Sequence, residues 1–377
     1  MDIKDFKAGS YKQQYRYKSF MPELINKAWV ISDNSLIHIL SEANIKLSEL
    51  NVYSQLVPDV SFFIKMHISK EATTSSRIEG TQTTITDALQ KFELIVPEKR
   101  DDWLEVNNYV MAMEGAISLL NELPISNRLM RATHKVLLQG ARGEHKQPGE
   151  YRQSQNWIGG ASLNDATFIP PAANDLPGLL TDLEKFINNV NDSLPDLIKI
   201  GMAHYQFETI HPFLDGNGRM GRLLITLFLV ERKLLTKPSL YISAFFDKHR
   251  QLYYDNLTRV RTHNEMTQWL KFFLEGVKST AESSIETLKA VVVLREELEE
   301  IIAARLGRKT KLAQSFLLYL FKHPVIESED AANALSVNKS TANRLIADFI
   351  HLGVLTEITG YKRNKIFKFA RYIRLFE

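Results

Sequence analysis

The chain has 377 residues, 44% of them hydrophobic, and a formal net charge of only +3. That length suggests two or three domains, and the overall charge is too small to mark a partner class. The absence of Cys excludes disulfides and thiolate metal sites, and the longest apolar run in the core, 223-LLITLFLV-230, is far short of the roughly 20 residues a membrane span needs.

The first residues, MDIKDFKAGSYKQQ, carry no apolar stretch, so a secretory leader is not expected and a cytoplasmic location is. The N-terminal third reads as helical. Its segment 71-EATTSSRIEGTQTTITDALQKF-92 reads as a helix with an unusual density of Ser and Thr. Within it, 75-SSRIEG-80 sets Ser75 and Glu79 four residues apart, hence on one helix face, and Gly80 allows close backbone approach.

One β signal interrupts the helices. In 155-QNWIGGASLNDATFIPP-171 two short extended pieces, Asn156–Ile158 and Thr167–Ile169, flank a Gly-Gly…Asn-Asp turn. That pattern predicts a hairpin. A lone hairpin is marginal, so it must lie on the helical body.

Segment 196-DLIKIGMAHYQFETI-210 predicts a core helix that stops before His211, because Pro212 disfavours the α conformation there. The next stretch, 211-HPFLDGNGRMGR-222, packs base, acid, turn and cations into twelve residues. His211, outside the regular ladder and with a near-neutral pKa, suits a general base. Asp215 is a hard oxygen ligand suited to Mg²⁺. Gly216-Asn217-Gly218 predicts positive φ and an anion-binding nest of N–H groups. A helix starting near Arg219 points its positive end at the same place. Arg219 and Arg222, three apart, share a face and can fork onto phosphate oxygens. Together these features favour a magnesium-bound polyphosphate. There is no GxxxxGK[ST] and no strand before the glycines, so the two familiar phosphate loops are absent. His204 lies seven residues before His211, but no third ligand joins them, so a histidine metal site is not expected.

Segment 221-GRLLITLFLVERKLL-235 is apolar all round and predicts a buried helix. Segment 282-ESSIETLKAVVVLREELEEIIAARL-306 predicts a charged connector helix. From Arg305 onward there are thirteen Lys and Arg against six Asp and Glu, so the positive charge concentrates here. Ser328 followed by Glu329-Asp330 reads as a helix start. Residues 329–355 have the layout of a helix-turn-helix, and 356-TEITGYKRNKIFKF-369 reads as a basic wing. Lys339, Ser340, Thr341, Asn343 and Arg344 would begin the recognition helix, and Lys362, Arg363 and Lys365 would sit on the wing. DNA and protein contacts are both open for this module.

The stretch 211-HPFLDGNGRMGR-222 matches every fixed position of HxFx[DE]GNGRxxR and so resembles the Fic family of protein adenylyltransferases. The likeness extends through 149-GEYRQSQNWIGG-160, 168-FIPPA-172 and 203-AHYQFETIHPF-213, over roughly residues 100 to 280. It implies a mainly α Fic-type bundle with a small β-hairpin flap, followed by the winged helix-turn-helix. With the readings above, the expected division is residues 1–100 as an N-terminal helical region, 101–280 as the catalytic domain, 281–306 as the connector and 307–377 as the winged module. The implied activity is transfer of AMP from ATP to a Ser, Thr or Tyr hydroxyl of a target protein or of the chain itself. By this resemblance His211 is the base and Asp215 the Mg²⁺ ligand. Gly216, Asn217, Gly218, Arg219, Met220, Gly221 and Arg222 would bind ATP, with Tyr253 and Tyr254 beside the adenine or one of them in the core. Asn156, Trp157, Ile158 and Gly159 would form the flap that adds a strand to the target. The segment 75-SSRIEG-80 matches the family's inhibitory pattern [S/T]xxxE[G/N]. Ser75, Glu79 and Gly80 would therefore restrain the enzyme, Glu79 pairing with Arg222 in place of a phosphate. Alternatives are removal of AMP with help from Glu79, and a DNA-binding regulator whose Fic part senses nucleotide. A homodimer is implied by the resemblance alone, and no membrane partner is expected.

Overall fold

In the computed structural model, residues 1–56, 61–140, 142–190, 193–360 and 364–377 are described. The chain starts with a two-stranded antiparallel hairpin, β1 (Gly9–Gln13) and β2 (Lys18–Pro22). Helices follow: α1 (Asn34–Leu56), α2 (Ser61–Ile78), α3 (Ile85–Ala88), α4 (Arg100–Leu119), α5 (Asn127–Leu137), α6 (Leu176–Asn188), α7 (Asp196–Ile210) and α8 (Asn217–Glu231). Next come α9 (Ser243–Lys248), α10 (Arg250–His263), the 40-residue α11 (Met266–Arg305) and α12 (Thr310–Lys322). The chain closes with β3 (Val325–Glu327), α13 (Ser328–Leu335), α14 (Lys339–His351), β4 (Thr356–Glu357), β5 (Ile366–Lys368) and α15 (Ala370–Ile373). The three strands form one antiparallel sheet in the order β3-β5-β4.

The centre of the molecule is α7 against α8. Every residue of α7 from Leu197 to Ile210 is buried, and α8 is buried on all faces from Arg219 to Leu229, mostly through its apolar run 223-LLITLFLV-230. Helix α11 seals one side of α7: the Trp269 indole is fully buried and donates to the Gly201 carbonyl at 2.9 Å. A Cβ on Gly201 would lie 2.8 Å from Leu270, so the close helix crossing needs a residue without one.

Four expectations change. The N-terminal region is not wholly helical. Its β1–β2 hairpin reaches the flap, since Phe20 N–H donates to the Ile169 carbonyl at 2.9 Å. The helix expected over 71–92 ends at Ile78, and a separate turn of helix, α3, starts from its own Thr84–Asp87 capping box. The connector is no separate element: α11 begins at Met266 and runs unbroken across residue 280, because its apolar stripe stays buried from Trp269 to Ile302. The flap is one bridged pair, Ile158 with Phe168, and not a ladder. Positive φ at both Gly159 and Gly160 turns the chain away after that pair.

The C-terminal helices and sheet rest on α2. Phe62 stacks on Phe321 with ring centroids 6.5 Å apart, and the Tyr372 hydroxyl donates to the Phe62 carbonyl at 3.4 Å. Lys91 pairs with Glu327 at 3.0 Å and Asp330 at 2.7 Å. Helix α13 starts at Ser328 as expected, with Glu327 before it making the reciprocal capping box with Asp330.

Candidate functional site

The site is the loop between α7 and α8. His211 follows the last helical residue with φ 50°, a left-handed conformation, and its N–H closes the helix on Phe207 O at 2.9 Å. Pro212 helps to end the helix here, because the residue before a proline avoids the right-handed α region, and the left-handed turn itself is a common helix C-terminus. The His211 Nδ1 lies 3.3 Å from the Glu208 carbonyl. A carbonyl can only accept, so Nδ1 carries the proton and Nε2 keeps its lone pair. Burial lowers the His211 pKa to about 4, which keeps the ring neutral at neutral pH.

At the far end of the loop Gly216 has φ 73° and caps α8, which starts at Asn217 rather than near Arg219. Gly216 supplies the positive φ expected of the glycine cluster. Gly218 is already helical, and its lack of a side chain serves another purpose: a Cβ there would meet the Glu79 carboxylate at 2.3 Å. Asp215 accepts from Gly216 N–H at 2.6 Å and keeps 45% of its side chain open. Among the described residues no group of three or more His, Cys, Asp and Glu gathers as a metal site.

Side chains from the loop's own end and from distant elements hold it. The Asn217 amide bonds both the N–H and the C=O of Phe213 at 2.9 Å. Arg152 is buried and donates to the carbonyls of His211 (2.9 Å), Pro171 (2.6 Å), Ile210 (3.3 Å) and Ser154 (3.3 Å). Burial drops its pKa to about 10. His134 Nδ1 accepts from Gly149 N–H at 2.9 Å, so its Nε2 donates to the Asp215 carbonyl at 2.9 Å, and its ring stacks on Phe213 at 3.6 Å. Burial holds this imidazole neutral, with a pKa lowered to about 4. Arg152→Leu is expected to strand the four carbonyls and cost ~3–5 kcal/mol of stability. A denaturant midpoint within error of the parent would show that water replaces the guanidinium.

Both motif arginines are buried and paired. Arg222, 1% exposed, donates to Ser75 Oγ and to the Ser75 carbonyl, each at 2.9 Å, and to Glu79 at 2.7 Å. Glu79 lies just past α2, and over a third of its side chain stays open. Its enclosure favours the neutral acid, but the Arg222 guanidinium outweighs this and holds the carboxyl below its ordinary pKa. Arg219 donates to Glu105 at 3.0 Å and lies 3.8 Å from Asp215.

Residues 124–229 match the Fic/DOC family, and residues 37–118 match the Fic/DOC family N-terminal region. The chain carries a Fic domain. It is 30% identical over 183 residues to the protein adenylyltransferase Fic of Aedes aegypti, a match covering 47% of this chain and 34% of that protein. The chain thus spans about a third of the length of this curated relative. It shares a fold with a Fic family protein from Desulfovibrio desulfuricans G20, with TM-score 0.57 and 19% identity, over 90% of this chain and 96% of that one. A Fic domain containing signaling protein from Bacteroides thetaiotaomicron VPI-5482 gives TM-score 0.52 and 20% identity, over 66% of this chain and 95% of that one.

Around the Fic loop, several expected ligand residues face elsewhere. Met220 is fully buried, so its side chain serves the core and not a nucleotide. Gly221 presents its carbonyl to His204 Nδ1 at 3.0 Å. Tyr253 is 1% exposed with its hydroxyl 2.9 Å from His204 Nε2, a core position; Tyr254 is exposed beside it. Asn156 points inward, donating to the carbonyls of His211 at 3.1 Å and Phe213 at 2.9 Å, so it belongs to the loop's support rather than to an outward flap. Trp157 is exposed and Ile158 makes the bridge to Phe168. In the C-terminal helices Lys339, Asn343 and Arg344 are exposed and Thr341 is half-buried, its N–H taken by the Asn338 cap at 2.9 Å. Lys362 and Arg363 lie outside the described residues.

Sequence reasoning did not find His134, Glu105 or the role of Arg152. Arg152 lies within 149-GEYRQSQNWIGG-160, and an arginine beside a loop rich in carbonyls was the available signal. His134 and Glu105 lie on α5 and α4 without any local mark.

Proposed function

We propose that this chain transfers AMP from ATP to a Ser, Thr or Tyr hydroxyl of a protein, and that Glu79 restrains it. The observation that carries this reading is the meeting of a neutral imidazole, the N-terminus of α8 and two buried arginines around one loop. The hydroxyl oxygen attacks the α-phosphorus of ATP. Its proton passes to His211 Nε2, the bond to the β-phosphate oxygen breaks, and pyrophosphate leaves. Backbone N–H groups at the start of α8 and the Arg219 and Arg222 guanidiniums stabilise the charge that grows on the phosphoryl oxygens. Tyr254, exposed beside the buried Tyr253, would face the adenine.

Asp215 is the open carboxylate of the loop and would hold Mg²⁺. A single carboxylate fits this ion, which commonly takes one or two carboxylates and completes its shell with water and phosphate oxygens. Mg²⁺ bound there would neutralise phosphate charge. The exposed Trp157 edge of the flap would receive the target segment by main-chain pairing.

Intact mass spectrometry of the protein after incubation with Mg-ATP tests the reading. A gain of one AMP on a hydroxyl residue supports it. Nucleotide binding without any gain, even with Glu79 replaced, would support a nucleotide sensor instead.

The second reading concerns α12–α15 and their sheet as a winged helix-turn-helix. Exposed Lys339, Asn343 and Arg344 at the start of α14 favour it, since base and phosphate contacts concentrate there. Duplex DNA is then expected to shift in a gel at ~50 mM salt and to be released as salt rises, because phosphate contacts release counterions. No shift at the low salt assigns this module to protein contact.

A further inference from the structure

We propose that Glu105 is the positioning residue for Arg219, and that Arg142 and Asp102 tie this position to the turn that carries Glu79. The inference rests on the reading that Arg219 meets a nucleotide phosphate.

Glu105 lies on α4 and is almost enclosed. Its Oε2 accepts from Arg219 at 3.0 Å and its Oε1 accepts from Arg142 Nε at 2.8 Å. The two oxygens are thus split between two arginines. A carboxylate free to fork would clasp one guanidinium with both oxygens. Here Arg219 receives a single hydrogen-bonded anchor, and of its other donors one nitrogen lies 3.8 Å from Asp215. Another is conspicuous: Arg219 is 4% exposed, yet its Nε has no hydrogen-bond partner among the described residues. That unmet donor is enclosed and adds no hold of its own, so the Glu105 anchor fixes where the guanidinium stands. The single anchor matters because a long arginine otherwise spreads over several rotamers, and a displacement of about 1 Å in a catalytic cation is costly.

The same acid is linked to the turn after α2. Arg142 donates to Asp102 Oδ1 at 2.6 Å, and Asp102 Oδ2 accepts from Gln82 N–H at 2.7 Å, three residues beyond Glu79. Asp102 and Glu105 are three apart, so one face of α4 serves both. Arg219 and the Glu79 turn are therefore braced on one helix face, through groups that touch neither Arg222 nor His211.

The test uses the full chain with Glu79→Gly as parent and calorimetric titration with Mg-ATP. Glu105→Gln is expected to weaken binding by about tenfold, the scale of one charge-assisted hydrogen bond. In an Arg219→Gln background the same change is expected to have no effect, because Glu105 acts through Arg219. Arg142→Ala, at a mostly exposed side chain, leaves Glu105 free to close on Arg219 with both oxygens and is expected to weaken binding in the same sense by a smaller factor. Affinity within about twofold of the parent for both Glu105→Gln and Arg142→Ala overturns the proposal, as does an additive effect of Glu105→Gln and Arg219→Gln. Should Glu105→Gln fail to fold, Arg142→Ala alone decides. A parent that binds Mg-ATP yet transfers no AMP fails the transfer reading and leaves this binding cycle intact; a parent that binds no Mg-ATP overturns both.

Discussion

With His211 replaced by Asn in a Glu79→Gly background, AMP incorporation is expected to fall by about 10²–10⁴-fold, the usual contribution of a general base. Asn is the better choice than Ala. His211 sits at φ 50°, a conformation that Asn tolerates and that strains Ala. The Asn side chain can also still donate toward the Glu208 carbonyl, which His211 Nδ1 faces at 3.3 Å. The loop therefore stays in place while the lone pair at Nε2 is lost. Unfolding midpoints of the two proteins should agree, and incorporation of labelled AMP is the readout. Incorporation within a few-fold of the background would remove His211 from the base role and leave the site to act by charge alone.

Glu79→Gly by itself is expected to raise incorporation by about 5–150-fold, the range of a coupling of ~1–3 kcal/mol. Arg222 makes three contacts toward the N-terminal region, and two of them, to Ser75, survive the change. The guanidinium is thus kept in place and loses only its charged partner. Glu79 also lies beyond Ile78, the last residue of α2, so Gly there does not interrupt the helix. The space matters as much as the charge. The carboxylate lies so close over Gly218 that a Cβ would meet it at 2.3 Å, which is where a phosphate would rest on the start of α8. Equal incorporation before and after the change would sink the restraint. A coupled loss on adding Ser75→Ala, which removes the Oγ contact and keeps the backbone carbonyl, would show that this hydroxyl, and not Glu79, holds the arginine ready.

The loop was legible because its determinants are local. His211 before Pro212 ends α7 by sterics within one dipeptide, and Gly216 lets the chain turn into α8. The charge types carried by 211–222 state their chemistry wherever the loop is placed. The boundaries were less legible where neighbours decide them. The break after Ile78 depends on Gly80 at φ 108° and on the new cap at Thr84, signals that a Ser- and Thr-rich helix pattern hides. The β1–β2 hairpin has weak alternation of its own and gains its place by pairing Phe20 with Ile169.

The sequence by itself determined which residues gather between α7 and α8, that the helix must stop before Pro212, and that α8 is buried on several faces. Only the tertiary structure decided what each polar group meets. The contacts that support the loop join residues 59, 81 and 114 positions apart: Arg152 with His211, His134 with Asp215, and Glu105 with Arg219. It also turned Asn156 inward and placed Met220 and Tyr253 in the core. The physical reason is that a backbone turn is set by torsions within a few residues, whereas a buried donor or charge is satisfied by whichever acceptor the packing brings within about 3 Å.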